Sequence, residues 1–449
     1  MRKSITKVCM IGILGILFFS FTFLILNSTE PKVEIKYQKT FGGVHRDGAY
    51  SLIQTSVDGF ILAGFTRSDG AGNSDSWRVK TDANGEMLWN RTYGGPENDK
   101  ARTVIQTNDG GFLVVGSTFS YGNGGEDVWL IKTDSNGLVL WNRTYGGTHL
   151  DIVRSMIQTI DGGFVLAGFT IKWLDLAGLG NGGADIWIMK IDTRGNLQWN
   201  HTYHGGKDER IYSIIQTLEG GFALAGRTTV TGDFNSEIWL VKTDAFGQIE
   251  WNQTYQGVED EWVYSLIQTS DKGFILAGIN QTQFSSESDI VILKTNAYGN
   301  VIWSKTYGNG GSSNECTYNL LQTPDGGFAF AGYIKLYGTS RSDVLFTKID
   351  KNGVVEWIQI IGEEEPELAY SLLDTSDGGF AIAGISEASD MGEGDMWLLK
   401  THPLSGVISL APGLNYWGII ILSSILLTLR VVIRKQRPEE ANKFEKTKH

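Results

Sequence analysis

The residues able to do chemistry are few and scattered along the 449-residue chain. Asp69, Asn73 and Asp75 place oxygen ligands at alternating spacing in a Gly-rich stretch, a pattern suited to a hard cation such as Ca²⁺. The stretch lacks the spacing and terminal Glu of an EF-hand and reads first as an ordinary turn. His201 and His204 offer two nitrogens to a metal, but no third ligand accompanies them. Cys9 lies in an apolar run and Cys316 stands alone beyond it, so no disulfide is expected. Glu363, Glu364 and Glu365 form a solvated acidic run. No G-x-S-x-G elbow, P-loop or H-E-x-x-H motif occurs, and no cofactor is expected. The side chains with most to offer a ligand are aromatic: Trp173, beside Asp175, with Tyr121, Phe234, Trp262 and Tyr337. Exposed aromatics suit sugars, peptides and proteins, or else shield a channel mouth.

These residues are spaced by an internal repeat. Phe60, Phe112, Phe164, Phe222, Phe274, Phe328 and Phe380 each follow a near copy of the Asp-Gly-Gly step, about 52 residues apart. In the first copy, Ser51 to Thr55, Phe60 to Phe65, Ser76 to Thr81 and Glu86 to Tyr93 read as four short strands. Tight turns at Asp58-Gly59 and Asp82 to Gly85 and one Gly/Ser/Asn-rich loop join them. The strands are nearly continuously apolar, as when both faces of a sheet are covered. Radially stacked four-stranded antiparallel sheets meet that requirement: an all-β, seven-bladed β-propeller. The chain opens on a lone fourth strand, Lys36 to Phe41, and ends on strands one to three, Leu368 to Thr401, with no fourth. Pairing these ends closes the ring and removes two exposed strand edges. Lys80 and its six counterparts, and Gln54 and its five, recur at fixed strand positions and are expected to close hydrogen-bond networks between blades. Trp89, Trp141, Trp199, Trp251, Trp303 and Trp357 are expected to pack between neighbouring blades at the outer edge.

The flanks read as membrane segments. Residues 1–29 carry Arg2, Lys3 and Lys7 before an apolar run from Val8 to Leu26, a signal peptide or N-terminal membrane anchor. The propeller spans 30–402 and a linker 403–413. Residues 414–433 form a C-terminal transmembrane helix about 30 Å long, and 434–449 a short charged cytoplasmic tail. The 57 Gly, 7 Pro and net charge of -12 describe a turn-rich acidic chain. The flanks 1–29 and 413–449 hold 10 of the 38 Lys plus Arg and 3 of the 50 Asp plus Glu, so residues 30–412 carry 28 positive and 47 negative charges, net -19. That excludes a nucleic-acid binder, which needs a basic face. With the propeller outside the cell, the sequons at Asn27, Asn90, Asn142, Asn200, Asn252 and Asn280 are candidate glycosylation sites.

The stretches Trp129-Leu130-Ile131-Lys132-Thr133-Asp134 with Gly137 and Trp141, and Trp239-Leu240-Val241-Lys242-Thr243-Asp244 with Gly247 and Trp251, resemble the strand, turn, Gly and docking Trp of quinoprotein-like propellers. The Asp-Gly-Gly-Phe copies resemble those of secreted and surface propeller-repeat proteins of bacteria and archaea. Quinoprotein dehydrogenases typically have eight blades, and often a vicinal Cys pair with a Ca²⁺ site beside it. Seven units and the lone Cys316 carry over neither quinone nor dehydrogenase chemistry. The resemblance implies a propeller displayed outside the cell for binding or scaffolding. Its variable face, formed by the loops after strands two and four, would bind a protein or glycan partner. The alternatives are a propeller hydrolase, lyase or oxidoreductase with acidic residues over the central channel, and a structural envelope component.

Overall fold

The computed structural model describes residues 33–171, 183–204, 208–229, 235–257, 259–282, 287–308, 313–336, 338–339, 341–362, 365–387 and 393–403. Both apolar flanks lie outside these residues, as do Trp173, Asp175, Phe234 and Tyr337. Among the described residues no helix is long and apolar enough to cross a membrane.

The described chain forms 28 strands, numbered in chain order, in seven four-stranded antiparallel sheets. The first blade holds β2 (Asp47–Gln54), β3 (Phe60–Thr66), β4 (Asp75–Thr81) and β5 (Met87–Tyr93) in simple up-and-down order. The last blade combines β26 (Glu367–Asp374), β27 (Phe380–Ser386) and β28 (Asp395–Thr401) with β1 (Ile35–Phe41) from the other end of the described chain. β1 and β28 are antiparallel, with Tyr37 opposite Lys400 and Thr40 opposite Trp397. The expected closure is thus observed. Strand one starts earlier than its sequence suggests, at Asp47 rather than Ser51, because a bulge in each copy interrupts the pattern.

The core is divided among the seams between blades. Ala49, Leu52, Phe60 and Trp77 of the first blade meet Ala381, Ala383, Met396 and Leu398 of the last, all fully or nearly fully buried. At the outer edge three fourth-strand Trp residues pack against the Phe of the next blade. The ring centroids lie 6.3 Å apart for Trp89 and Phe112, 6.1 Å for Trp199 and Phe222, and 6.0 Å for Trp251 and Phe274. The next blade's turn between strands three and four leans on the same Trp. Gly137, at φ +80°, would place a Cβ 3.2 Å from Trp89, so the position needs Gly for both backbone and space.

The two recurrent polar residues, Lys in all seven blades and Gln in six with Asp374 in the last, divide their work. Gln joins blades: the amides of Ser56, Ile160, Leu218 and Ser376 donate to Gln106, Gln216, Gln268 and Gln54 of the neighbouring blade, at 3.0, 3.2, 2.7 and 2.8 Å. Lys mostly works within its own blade. Lys132, Lys190, Lys294, Lys348 and Lys400 reach the Asp of their own strand-one-to-two turn. The first blade has Val57 where that Asp stands, and Lys80 instead reaches the Ser135 carbonyl of the second blade, at 3.4 Å. In the fourth, Lys242 pairs with Glu250 and leaves Glu219 to Lys272.

Desolvation opposes ionisation of Asp109, yet Lys132, the Thr107 hydroxyl and the Gly111 amide outweigh it and hold its pKa at about 2. Asp271, Asp325 and Asp377 are held at about 2 in the same way, each by its own Lys, Thr and Gly. A carboxylate with depressed folded pKa contributes stability above its unfolded pKa, about 4, and loses it as the pH falls through its folded value. Acid unfolding is therefore expected between about pH 4 and pH 2. Lys132→Met should cost about 1 kcal/mol at pH 7 and narrow its gap from wild type as the pH falls through that window. Urea unfolding at pH 7, 4 and 3 measures both effects.

Candidate functional site

The bulge that displaces strand one also builds the most distinctive site among the described residues. In every innermost strand the register slips at one residue: Tyr50, Arg102, Arg154, Tyr212, Tyr264, Tyr318 and Tyr370. The facing residue of strand two is Gly in each blade. At Gly168 a Cβ would lie 1.9 Å from the Ile152 carbonyl oxygen, and at Gly116 1.8 Å from that of Lys100. The bulge exists because that Gly makes room for it. The Ser that follows ties neighbouring blades together. The amides of Leu52, Val104, Ile214 and Leu320 donate to the hydroxyls of Ser371, Ser51, Ser155 and Ser265 at 3.1 to 3.4 Å.

The seven bulged residues meet around the axis. Ring centroids of Tyr212 and Tyr264, Tyr264 and Tyr318, Tyr318 and Tyr370, and Tyr370 and Tyr50 lie 5.1, 5.1, 4.8 and 5.4 Å apart. The Arg102 guanidinium lies 4.6 Å from the Tyr50 ring and that of Arg154 5.6 Å from Tyr212. Sevenfold neighbours so close must sit about 6 Å from the axis of a closed ring. The collar therefore has five phenols on one arc and two adjacent guanidiniums on the other. Burial raises the pKa of Tyr264, Tyr318 and Tyr370, that of Tyr370 to about 12, so these phenols stay protonated. Burial, then the neighbouring Arg102, lowers the pKa of Arg154. Neither guanidinium forms an ion pair or hydrogen bond among the described residues, and the Nε atoms of both are buried without a partner. Lys100, two residues before Arg102, has its pKa lowered by burial and then by Arg102, Arg67 and Arg46. Other cations nearby are neutralised: Arg46 by Glu387 at 3.3 Å, and Arg210 and Arg227 by Asp208 at 3.2 and 2.8 Å.

Carboxylates stand where the variable loops meet the sheets. Asp47, Asp99 and Asp151 at the start of strand one accept from the Gly43, Gly95 and Gly147 amides at 2.9, 2.8 and 2.8 Å. Asp75 and Asp127 start strand three of the preceding blades and lie beside Asp99 and Asp151. Burial, reinforced by Asp151, pushes Asp127 up to about 6 despite the opposing Asn123 amide. Glu261 is pushed up to about 7 by burial, then by Glu237 and Glu259.

The sequence candidates fall as follows. Tyr121 is 45 % exposed on the variable face, with its ring 5.2 Å from Trp129 and its hydroxyl donating to the Gly94 carbonyl at 2.9 Å. Trp262 is half-buried in an innermost strand, 5.1 Å beneath the Arg227 guanidinium. Asp69 accepts from Gly70 at 2.9 Å and Asp75 from Gly72 at 3.0 Å, so both carboxylates serve their own loop. No three His, Cys, Asp or Glu gather as a metal-ligand set among the described residues. His204 bonds Asp185 at 2.7 Å, and His201 the Phe246 carbonyl at 2.8 Å. Asn142, Asn200 and Asn252 are exposed on fourth strands and Asn90 half so, whereas Asn280 lies in strand two with its Oδ1 buried. The collar was missed in the sequence, although a Tyr or Arg precedes the Ser, Thr or Asn in all seven copies.

No protein-family model matches the chain, and no curated protein sequence is detectably similar to it. Solved structures share the fold at low identity. An ulvan lyase of a polysaccharide-lyase family, bound to a saccharide, has a TM-score of 0.53 at 9% identity, covering 83% of this chain and 98% of that one. The Pan2 WD40 domain of Neurospora crassa gives 0.47 at 10%, covering 83% and 99%. Sqt1 of Chaetomium thermophilum gives 0.45 at 10%, covering 83% and 98%. The likeness is one of fold and leaves activity to the site.

Two outcomes follow for the scaffold of this site. Gly168→Ala should abolish the bulge at Arg154 and destabilise by about 2 to 4 kcal/mol, seen as a lowered melting temperature. Because its folded pKa is raised, Asp127 favours folding below about pH 4, and that contribution is lost as the pH rises through about 6. Asp127→Asn should therefore gain stability over wild type at pH 7 but not at pH 4, as urea midpoints at the two values will show.

Proposed function

We propose that this chain is a membrane-anchored extracytoplasmic propeller that binds a protein or glycan partner on its variable-loop face, around the axial mouth. The collar carries the reading. Seven copies of one strand converge at the axis, and there they assemble aromatic rings and unpaired cations that the fold itself does not require. The monotonous opposite face, built from uniform turns, offers nothing comparable. The apolar segments 8–26 and 414–433, each flanked by basic residues, support the anchoring, and the exposed fourth-strand Asn residues suit glycosylation. The strand-turn-Trp motif supports kinship with quinoprotein-like propellers without their redox chemistry.

One observation favours a second reading, a propeller enzyme. Glu261, near neutral in pKa beside Trp262, could donate a proton at pH 7. Hydrolytic or eliminative turnover by the purified chain, abolished by Glu261→Gln, would establish it.

The full chain in detergent, screened against glycans and purified surface proteins with and without Ca²⁺, tests the binding reading. A specific partner should lose about tenfold in affinity on Tyr121→Ala, while Asn200→Gln on the outer strand should leave it unchanged. Equal binding by wild type and Tyr121→Ala would move the contact off this face.

A further inference from the structure

Within a propeller region of net charge -19, Arg102 and Arg154 stand side by side at the axis without a carboxylate partner among the described residues. Two adjacent guanidiniums repel each other, and partial burial removes the water that would offset the repulsion. Their stacking on Tyr50 and Tyr212 holds them in place but satisfies no N–H donor. The rest of the collar adds donors. Tyr264, Tyr318 and Tyr370 keep their phenolic protons, and Lys100 lies against the Phe65 ring two residues from Arg102. No carboxylate belongs to the collar, and the acid whose field reaches Arg154, Glu126, forms no ion pair with it. Paired guanidinium forks beside phenols match the planar or tetrahedral oxygens of one oxyanion.

We propose that the collar is an oxyanion-binding site, in which Arg102 and Arg154 clamp a carboxylate, phosphate or sulfate group at the axis. This deepens the reading of the variable face as a ligand surface and rests on it for where the ligand enters. The anion is either free or the tip of a larger ligand, such as an acidic sugar. Both present the same chemistry to the guanidiniums.

Calorimetry on the full chain in detergent tests the proposal with sulfate, phosphate, acetate and glucuronate, and with glucose as the neutral control. Wild type should bind one oxyanion per chain with saturation, which a general salt effect does not produce. Arg102→Gln/Arg154→Gln should weaken it by at least about tenfold. Arg102→Lys/Arg154→Lys, which keeps both charges but loses the forks, should fall between them, and melting curves check that each variant folds. Glucuronate binding more tightly than acetate assigns the anion to a sugar, whereas stronger binding of inorganic sulfate or phosphate assigns it to a free ion. Equal titrations by wild type and a folded Gln variant, or no saturable binding by wild type, overturn the proposal. If a neutral glycan then still binds both proteins, only the anion site fails. Arginine-dependent anion binding without any macromolecular partner supports the site and counts against the partner reading.

Discussion

A four-stranded blade of this protein cannot bury its two apolar faces by itself, and everything else follows from that constraint. The seam between blades is where the stabilising area lies, so each repeat carries half of a joint at each side. Trp89 reaches forward to Phe112 and Gly137, while Phe60 and Leu52 reach back to Ala381 and Leu398. Seven such joints make a ring only if the last is made too. β1 makes it by hydrogen-bonding to β28 across the greatest sequence separation in the fold. Local turn clamps such as Lys132 with Asp109 fix the hairpins, and the long-range pairing fixes the ring.

Closure brings seven equivalent strand positions to one axis, and the chain treats them unlike the seams. Seam positions are apolar in most blades, with buried exceptions such as Arg78 and Thr347. At the bulge, by contrast, Tyr and Arg alternate in blocks, with the two Arg in adjacent blades. Tyr at both positions would spare the repulsion between guanidiniums. Retaining two uncompensated cations inside an acidic protein runs against stability, and such a departure marks a functional site more often than a structural one.

The bulge links sequence to this site through a small mechanism. A Gly in strand two removes the Cβ that would strike a strand-one carbonyl, the extra residue buckles outward, and its side chain leaves both seam faces for the axis. The Ser after it then accepts a neighbour's amide and fixes the angle between blades. One small residue per blade, with a hydroxyl in at least four of them, thus sets where the collar side chains converge.

The amino-acid sequence alone determined the blade count, the strand order within each blade, the docking Trp and the closure, because each is written in a local period or in the phase of the repeats at the ends. It also marked the positively turned Gly residues and the recurrent Gln and Lys, though not that Lys132 would serve its own blade while Gln106 served its neighbour. The tertiary structure alone decided that Arg102 and Arg154 meet five tyrosines. They lie 52 residues apart in the chain, and a period reports which residues are equivalent without reporting which way they point. It likewise showed Trp262 half-buried in an inner strand and Asp75 turned back on its own loop. Burial and direction depend on the bulge and on neighbouring blades, which no single repeat contains.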